Sequence, residues 1–410
     1  MKFEFVEQEE RYAARIKVIG VGGAGGNAIN NMINSKLKGV DFTAVNTDCQ
    51  ALERSICTQQ LRLGPSVTMG LGAGADPEVG RASAEESIAD IREIVDGYDM
   101  IFITAGMGGG TGTGASPTIA RESRESGALT VGVVTKPFVF ERGKRMARAM
   151  EGIEALRNEV DTLIVIPNER LKSLGGRNTT FRDLVAKADD VLLQAVRGIS
   201  DLIMSSGFIN LDFADVRTVM GHMGTAIMGS GNACGDNRAI EAAQTAINSP
   251  LLEGISIEGA KGLLMNITGH PDMTMDEIDE ASNFIGKEVN DDAEIFWGVV
   301  FDEGLEDEIQ VTVIATGIDD EADCRATKHK NVFSLDNANV RDVTPDEIEE
   351  NWDVRKVDGD LENPTYLRKQ VELTGEPEDV EMRANKRGLM ERIRNRNNLD
   401  YPTFLRVKAD

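Results

Sequence analysis

The sequence predicts a two-domain α/β protein in which a long helix separates a larger domain from a smaller one. Over residues 14–182, apolar runs of strand length alternate with helical patterns, which is typical of a parallel sheet covered by helices on both faces. Residues 183–204 repeat apolar side chains at three- and four-residue spacing, which indicates one half-buried central helix. A smaller α/β domain is predicted over 205–318.

Individual elements follow from the apolar runs and the turn residues between them. In the larger domain we predict strands at 16–21, 41–46, 100–104, 129–134 and 162–167, and helices near 27–37, 77–94, 115–126 and 142–158. In the smaller domain we predict strands near 225–229, 255–268, 294–301 and 309–316, and helices at 236–248 and 274–289. The last two strands are interpreted as a hairpin around Gly304.

The two ends of the chain differ in composition from these domains. Residues 1–13 are predicted to be a mobile N-terminal arm, and 319–396 a linker that is first acidic and then basic. The segment 397–410 combines a proline, which stiffens the chain, with apolar residues and an arginine. The basic part of the linker is open to three interpretations: contact with an acidic protein surface, contact with anionic lipid, or solubility.

Composition excludes several classes of function. The net charge of −25 argues against general nucleic-acid binding, which depends on neutralising phosphates. The four cysteines show no C-x-x-C spacing and the chain has three histidines, so we expect free thiols and no metal site made by protein ligands. No apolar stretch approaches the length of a membrane-spanning helix, and we expect a cytoplasmic protein without direct membrane insertion.

Two glycine-rich runs follow predicted strands and precede predicted helices. The first, residues 20–27, contains G-x-G-x-x-G, and the second, residues 108–114, reads G-G-G-T-G-T-G. Backbone N–H groups in such turns surround anions, and the helix dipole favours negative charge there. Neither run fits the G-x-x-x-x-G-K-[ST] pattern. Two such loops on neighbouring strands predict one polyphosphate held from two sides, whereas the first loop alone would also suit a Rossmann dinucleotide site.

A third glycine-rich loop, residues 70–77, has two interpretations. Asp76 and Pro77 are typical of a helix N-cap and a first helical position, so the loop is explained as a turn before a helix. On its own the loop favours this interpretation, and the alternative is that it closes over a terminal phosphate, because it also follows a strand-like segment.

Asn210, Asp212 and Asp215 form an acidic loop at a predicted helix start. The two carboxylates lie on one helix face when Asp212 is the N-cap. Their spacing fits simple helix capping, and it fits equally the positioning of a water or a cation beside a phosphate.

Taken together, these motifs resemble the tubulin superfamily and, within it, the FtsZ family of bacterial cell-division GTPases. The resemblance covers about 14–318 and the last dozen residues, with at least six motifs in the same order. It implies a tubulin/FtsZ-like fold whose C-terminal domain activates the GTPase. It also implies that the protein binds GTP or GDP together with Mg²⁺, and K⁺ is a further candidate cation. It also implies head-to-tail protofilaments of a cytoskeletal ring at midcell, in which the acidic loop of one subunit completes the hydrolytic site of the next.

The resemblance assigns nucleotide-binding positions to four loops and to four later residues. They are Gly23, Ala24, Gly25, Gly26 and Asn27; Asn46 and Asp48; Gly72, Ala73 and Gly74; Gly108, Gly109, Gly110, Thr111, Gly112, Thr113 and Gly114; Glu141 and Arg145 at the ribose; and Asn168 and Asp189 at the guanine base. It assigns Asn210, Asp212 and Asp215 to catalysis. From spacing alone, Glu141 and Arg145 also fit a surface ion pair, and Asp189 also fits a solvated helix face.

One position departs from the family pattern. Four residues before the guanine-reading aspartate many relatives place a phenylalanine, whereas this chain has Val185. We therefore expect guanine specificity to be kept and affinity to be lower, with Val185→Phe raising the affinity.

The tail contains a repeated pattern. Residues 361–368 and 399–406 both fit L-x-x-P-T-[FY]-L-R. The resemblance implies that the terminal copy docks on membrane-tethering division proteins such as FtsA. Two copies suggest bivalent docking with a raised effective concentration, and a duplication relic or a segment folded back on the core is the alternative.

Three other functions remain as alternatives at this stage. A plasmid-segregating filament GTPase of the same superfamily does not explain the docking peptide. A nicotinamide-dependent oxidoreductase leaves the second glycine run and the acidic loop unexplained. A nucleotide-binding structural protein that does not hydrolyse GTP leaves Asp212 and Asp215 without a role.

Overall fold

The computed structural model describes residues 14–172, 179–204, 212–221, 224–252, 259–290 and 293–318. The predicted arm at 1–13, the predicted catalytic Asn210, and the linker and both tail motifs beyond 318 lie outside the described residues. The domain boundaries drawn from the sequence stay predictions.

Ten strands form one continuous sheet in the described part of the chain. They are β1 (Ile16–Val21), β2 (Val40–Asn46), β3 (Gln59–Arg62), β4 (Met100–Gly106), β5 (Leu129–Lys136), β6 (Thr162–Pro167), β7 (Gly224–Cys234), β8 (Gly262–Gly269), β9 (Glu294–Phe301) and β10 (Glu308–Ile318). Their spatial order is β3-β2-β1-β4-β5-β6-β7-β10-β8-β9. All pairs from β3 to β7 are parallel, so the predicted parallel sheet is confirmed.

Twelve α-helices accompany these strands in the described residues. They are α1 (Gly22–Asn34), α2 (Cys49–Glu53), α3 (Pro65–Thr68), α4 (Pro77–Glu86), α5 (Ile88–Val95), α6 (Thr111–Glu125), α7 (Gly143–Arg157), α8 (Asn168–Leu171), α9 (Phe181–Met204), α10 (Phe213–Met220), α11 (Arg238–Ile247) and α12 (Met275–Gly286). None of the helices in these ranges is both long and apolar enough to cross a bilayer.

Alternating strand residues build a core on each face of the parallel sheet. In β4, Phe102 packs into the cluster that holds α1 and α9, while its neighbour Ile103 packs into the cluster that holds α5, α6 and α7. This division follows from the two-residue period of a strand. A third cluster joins α11 and α12 to β7–β10. The long helix α9 thus packs along the sheet, as its apolar stripe predicts.

Two predicted helices begin earlier than the sequence indicated. The starts near 27 and 115 are wrong, because α1 begins at Gly22 and α6 at Thr111, inside the glycine runs. Glycine is a weak helix former, which made the runs look like loops. Close packing favours it here: a Cβ on Gly25 would lie 2.4 Å from the carbonyl oxygen of Thr104, and one on Gly114 would lie 1.9 Å from that of Pro77.

Three further details differ from the sequence-based prediction. Residues 77–94, predicted as one helix, form the two helices α4 and α5, because the helical conformation is interrupted at Ser87. Strand β3 was not predicted, since its sequence Gln-Gln-Leu-Arg lacks an apolar run. The hairpin around Gly304 is wrong: β9 pairs in parallel with β8, and β10 lies on the other side of β8.

Candidate functional site

A cavity of about 420 Å³ opens at the carboxyl ends of β1, β4, β5 and β6. Its size suits a nucleotide, and the ends of parallel strands are where open α/β sheets bind ligands. Twelve of the sequence-predicted nucleotide residues line it: Gly23, Ala24, Asn27, Gly74, Gly109, Gly110, Thr111, Gly112, Glu141, Arg145, Asn168 and Asp189. Residues from six separate segments of the sequence therefore meet around one space.

Two helix N-termini meet at one end of this cavity. Helix α1 starts directly after β1, and α6 starts five residues after β4. The two starts touch, since a Cβ on Gly22 would lie 3.0 Å from the amide nitrogen of Gly112. The first N–H groups of each helix lack acceptors within the helix, and both dipoles favour negative charge. The arrangement of this end of the cavity is one that can bind phosphates.

The loop before α4 is fixed against the second glycine run. The amide of Gly110 donates to the carbonyl of Gly74 (3.1 Å), and the amide of Ala73 donates to Thr47 Oγ1 (3.0 Å). Thr47 Oγ1 also lies 2.6 Å from Thr111 Oγ1, so one buried hydroxyl links three loops. The prediction of Asp76 as N-cap with Pro77 at the first helical position is confirmed, since Asp76 accepts from the Glu78 amide.

The opposite end of the cavity presents hydrogen-bond acceptors. Asn168 begins α8, and its buried Oδ1 has no partner among the described residues. Asp189 lies on α9, where burial, with a smaller contribution from the neighbouring Asp190, raises the pKa of its carboxyl group to about 7. An unpaired amide oxygen and a half-buried carboxylate can both accept from N–H donors of a ligand.

Glu141 and Arg145 occupy the side of the cavity between these ends. They form an ion pair of 2.9 Å one helical turn apart, as the surface-pair interpretation predicts, and both also line the cavity. Glu141 Oε1 additionally accepts from the Phe138 amide. Arg145 is the one cation among the described residues of the lining. The pair can therefore meet hydroxyl groups of a ligand while compensating its own charge.

Several predicted nucleotide residues lie behind the lining. Gly26 and Asn46 line a smaller adjoining pocket that shares Gly23 and Asn27 with the main cavity. The others that do not line the main cavity are Gly25, Asp48, Gly72, Ala73, Gly108, Thr113 and Gly114. Gly108 illustrates how closely these residues pack behind the lining. Its φ is +97°, a Cβ there would meet the Arg145 carbonyl oxygen at 2.8 Å, and its amide donates to Thr113 Oγ1.

Asp212 and Asp215 lie at the other end of the sheet from the cavity. Helix α10 is anchored there, because Arg217 donates to the carbonyl of Gly127, just before β5, and Thr162 at the start of β6 donates to the Met220 carbonyl. Strand β5 lines the cavity at Thr135, near the carboxyl end of the strand. Eight residues of strand span roughly 25 Å, so one chain does not bring the carboxylates to its own cavity.

The geometry of Asp212 and Asp215 bears on their two interpretations. Asp212 is the N-cap residue and Asp215 the third helical residue of α10, as predicted. The Asp212 side chain, however, makes no capping hydrogen bond and is exposed. Simple capping therefore does not account for its carboxylate.

The cavity fits a magnesium ion only as part of a nucleotide complex. The residues that the structure describes contain no group of three or more His, Cys, Asp or Glu side chains able to hold a metal. Asp48 lies beside the phosphate end, near Gly72, and its carboxylate caps α2. Mg²⁺ commonly keeps several waters and binds through phosphates and one or two carboxylates, which this donor set allows.

Sequence reasoning missed the aromatic wall of the cavity. Phe138 and Phe181 line it and were not assigned. Phe181 lies four residues before Val185 and eight before Asp189, so the three share a helix face. This spacing was available in the sequence, but the predicted central helix began at 183 and left Phe181 outside it.

Fold and cavity together define a class: α/β proteins that hold a nucleotide at the carboxyl edge of a parallel sheet, with its phosphates on two glycine-rich helix starts. Family models narrow this class. One described as "Tubulin/FtsZ family, GTPase domain" matches residues 15–176, and one described as "FtsZ family, C-terminal domain" matches 224–319.

Individual relatives agree with the family models. A cell division protein FtsZ from Rickettsia felis is 48% identical over 91% of this chain and 82% of its own length. One from Magnetospirillum gryphiswaldense is 56% identical over 75% of this chain, which spans 55% of that relative. An empty FtsZ dimer from M. jannaschii superimposes with a TM-score of 0.73 at 39% identity, covering 82% of this chain and 97% of that one. The chain belongs to the FtsZ family.

Proposed function

We propose that this protein binds GTP in the cavity and hydrolyses it when a second copy docks head to tail, as part of a filament in the bacterial division ring. The observation that carries this proposal is the distance between the cavity and the exposed Asp212 within one chain. Head-to-tail stacking brings the carboxylates of α10 to the cavity of the neighbour. The family model for the GTPase domain and the dimeric relative support it.

On this proposal, separate groups of residues bind the phosphates, the base and the ribose and orient the attacking water. The N–H groups at the starts of α1 and α6 bind the phosphates and stabilise the charge that develops on them. Asn168 and Asp189 accept from the guanine N–H groups, and Glu141 and Arg145 meet the ribose. The neighbour's Asp212 and Asp215 orient the attacking water.

Mg²⁺ is part of the same proposal. Bound to the phosphates beside Asp48, it would neutralise charge in a chain that is strongly acidic overall. The chain's own contribution is the position of the phosphates.

The segments outside the described residues extend the proposal to partners. The terminal copy of L-x-x-P-T-[FY]-L-R, within 397–410, would dock on membrane-tethering division proteins such as FtsA, and the copy at 361–368 would add a second contact. Deleting 361–368 and measuring partner affinity tests the second contact, since an unchanged affinity removes it.

GTP hydrolysis measured against protein concentration tests the shared site. We expect a threshold, with specific activity rising above it, because an isolated chain lacks the carboxylates at its own cavity. A rate that is strictly proportional to concentration would show a self-contained enzyme and contradict the proposal.

A further inference from the structure

Three phenylalanines gather at the base end of the cavity. Phe138 and Phe140 stack with ring centroids 5.1 Å apart and an angle of 16° between planes. Phe181 meets Phe138 at 6.3 Å and meets Phe140 edge-on at 6.0 Å and 72°. These are the separations and tilts that aromatic pairs favour. The first turn of α9 is thereby tied to the segment after β5.

The three rings differ in exposure. Phe138 is 4% exposed and packed, whereas Phe181 is 62% exposed although it lines the cavity. Its contacts with the other two rings therefore leave most of its surface uncovered. A large apolar side chain at the wall of a polar ligand cavity is explained when the ligand itself has an apolar face.

Helix α9 places this ring on the same face as the base-reading carboxylate. Phe181, Val185 and Asp189 follow each other at four-residue spacing, and all three line the cavity. Asp189 offers acceptors for the edge of a guanine base, which leaves the faces of the base for apolar contacts. Val185 offers a small aliphatic surface there, and the next side chain along the face is aromatic.

We propose that Phe181 supplies the aromatic contact to the nucleotide base that Val185 does not provide, and that Phe140 positions its ring. The inference rests on the proposed function, because it assumes that a guanine nucleotide occupies the cavity. It replaces the expectation that the valine lowers affinity: aromatic contact is kept, but it comes from one helical turn earlier.

GDP affinity of full-length variants tests this inference. We expect Phe181→Ala to raise the GDP dissociation constant about 10-fold, since stacking of a base on an aromatic ring contributes at this level. Phe181→Leu, which keeps apolar contact without a ring, should fall between, and Phe140→Ala should have a smaller effect. Val139→Ala is the matched control, because Val139 is 66% exposed in the same segment and does not line the cavity.

Two further measurements separate base contact from general damage to the site. Inorganic pyrophosphate, used as a competitor, probes the phosphate end alone, and Phe181→Ala should leave its affinity unchanged. Adding Val185→Phe to Phe181→Ala should restore GDP affinity, whereas Val185→Phe alone should change it little. The earlier expectation from sequence is the opposite for that single variant.

The outcomes distinguish the inference from the function beneath it. Wild-type protein that fails to bind GDP contradicts the proposed function. Wild-type protein that binds GDP, with Phe181→Ala binding equally well, overturns the inference and leaves the function standing. A parallel loss of GDP and pyrophosphate affinity also overturns it, since the ring would then act on the fold of the site.

Discussion

The two edges of the parallel sheet hold different parts of the candidate site. At the carboxyl edge, six segments surround a cavity with two helix N-termini at one end and hydrogen-bond acceptors at the other. At the amino edge, α10 exposes Asp212, and Asp215 lies half-buried beside it. On the proposed function, a single chain binds the nucleotide but lacks the carboxylates for hydrolysis, so the two properties should respond separately to substitution.

The largest expected effect is at the amino edge. Asp212→Asn should lower the GTP turnover number about 100-fold or more, because a residue that orients and activates water contributes at this level. GDP affinity should stay unchanged, since the residue lies far from the cavity of its own chain. The control is Asp276→Asn, an exposed carboxylate in the first turn of α12. Normal turnover in Asp212→Asn would remove its assigned role.

The reverse pattern is expected at the carboxyl edge. A Cβ on Gly110 would lie 2.8–2.9 Å from the carbonyl oxygens of Ala73, Gly74 and Asp76, so Gly110→Ala must separate the two loops. We expect nucleotide affinity to fall about 10-fold or more, as for a misplaced set of binding groups. Gly286→Ala, with open space around it, serves as control. Unchanged GDP binding by calorimetry would show that the contact between these loops is dispensable.

The smallest expected effect is a pH dependence at the base end. Burial raises the pKa of Asp189 to about 7 in the nucleotide-free protein. Guanine N–H groups require the ionised carboxylate, so binding must lower this pKa, and protons compete with the nucleotide. Affinity should therefore fall as pH drops from 7 to 6, by less than about tenfold.

The nucleotide phosphates also titrate in this range, so the variant Asp189→Asn is measured beside the wild type. Asp189→Asn should bind the nucleotide more weakly than the wild type at pH 8. It should also lose the part of the pH dependence that arises from the Asp189 carboxyl group. Identical pH profiles for the two proteins would show that Asp189 does not face the base.

Sequence patterns predicted the sheet and the cavity well where the signals are local. Apolar runs located nine of the ten strands, and glycine runs after strands located the two turns that meet at the cavity. The hairpin failed because proximity in sequence favours pairing of β9 with β10, whereas β8 lies between them. Pairing partners depend on how α12 and the core of the smaller domain pack, which no single segment encodes.

The candidate site was predictable to a similar degree. Motifs identified the glycine-rich turns that the structure brings to the cavity, because such turns have a recognisable composition. The motifs did not distinguish residues that line the cavity from residues that pack behind the lining, such as Gly25 and Gly114. Glycine is used in both places, because it allows close packing as well as close approach of a ligand. Phe181 was missed because aromatic residues carry no motif and its contribution depends on the register of α9.

A mixing experiment tests the central claim that the hydrolytic site is shared between two copies. Asp212→Asn keeps an intact cavity and lacks the carboxylate, while Gly110→Ala keeps the carboxylates and has a damaged cavity. When a Gly110→Ala subunit stacks with its carboxylates on the cavity of an Asp212→Asn subunit, the site between them has an intact cavity and intact carboxylates. The account predicts that an equal mixture hydrolyses GTP clearly faster than the mean of the two variants assayed separately. A mixture whose rate equals that mean would contradict it.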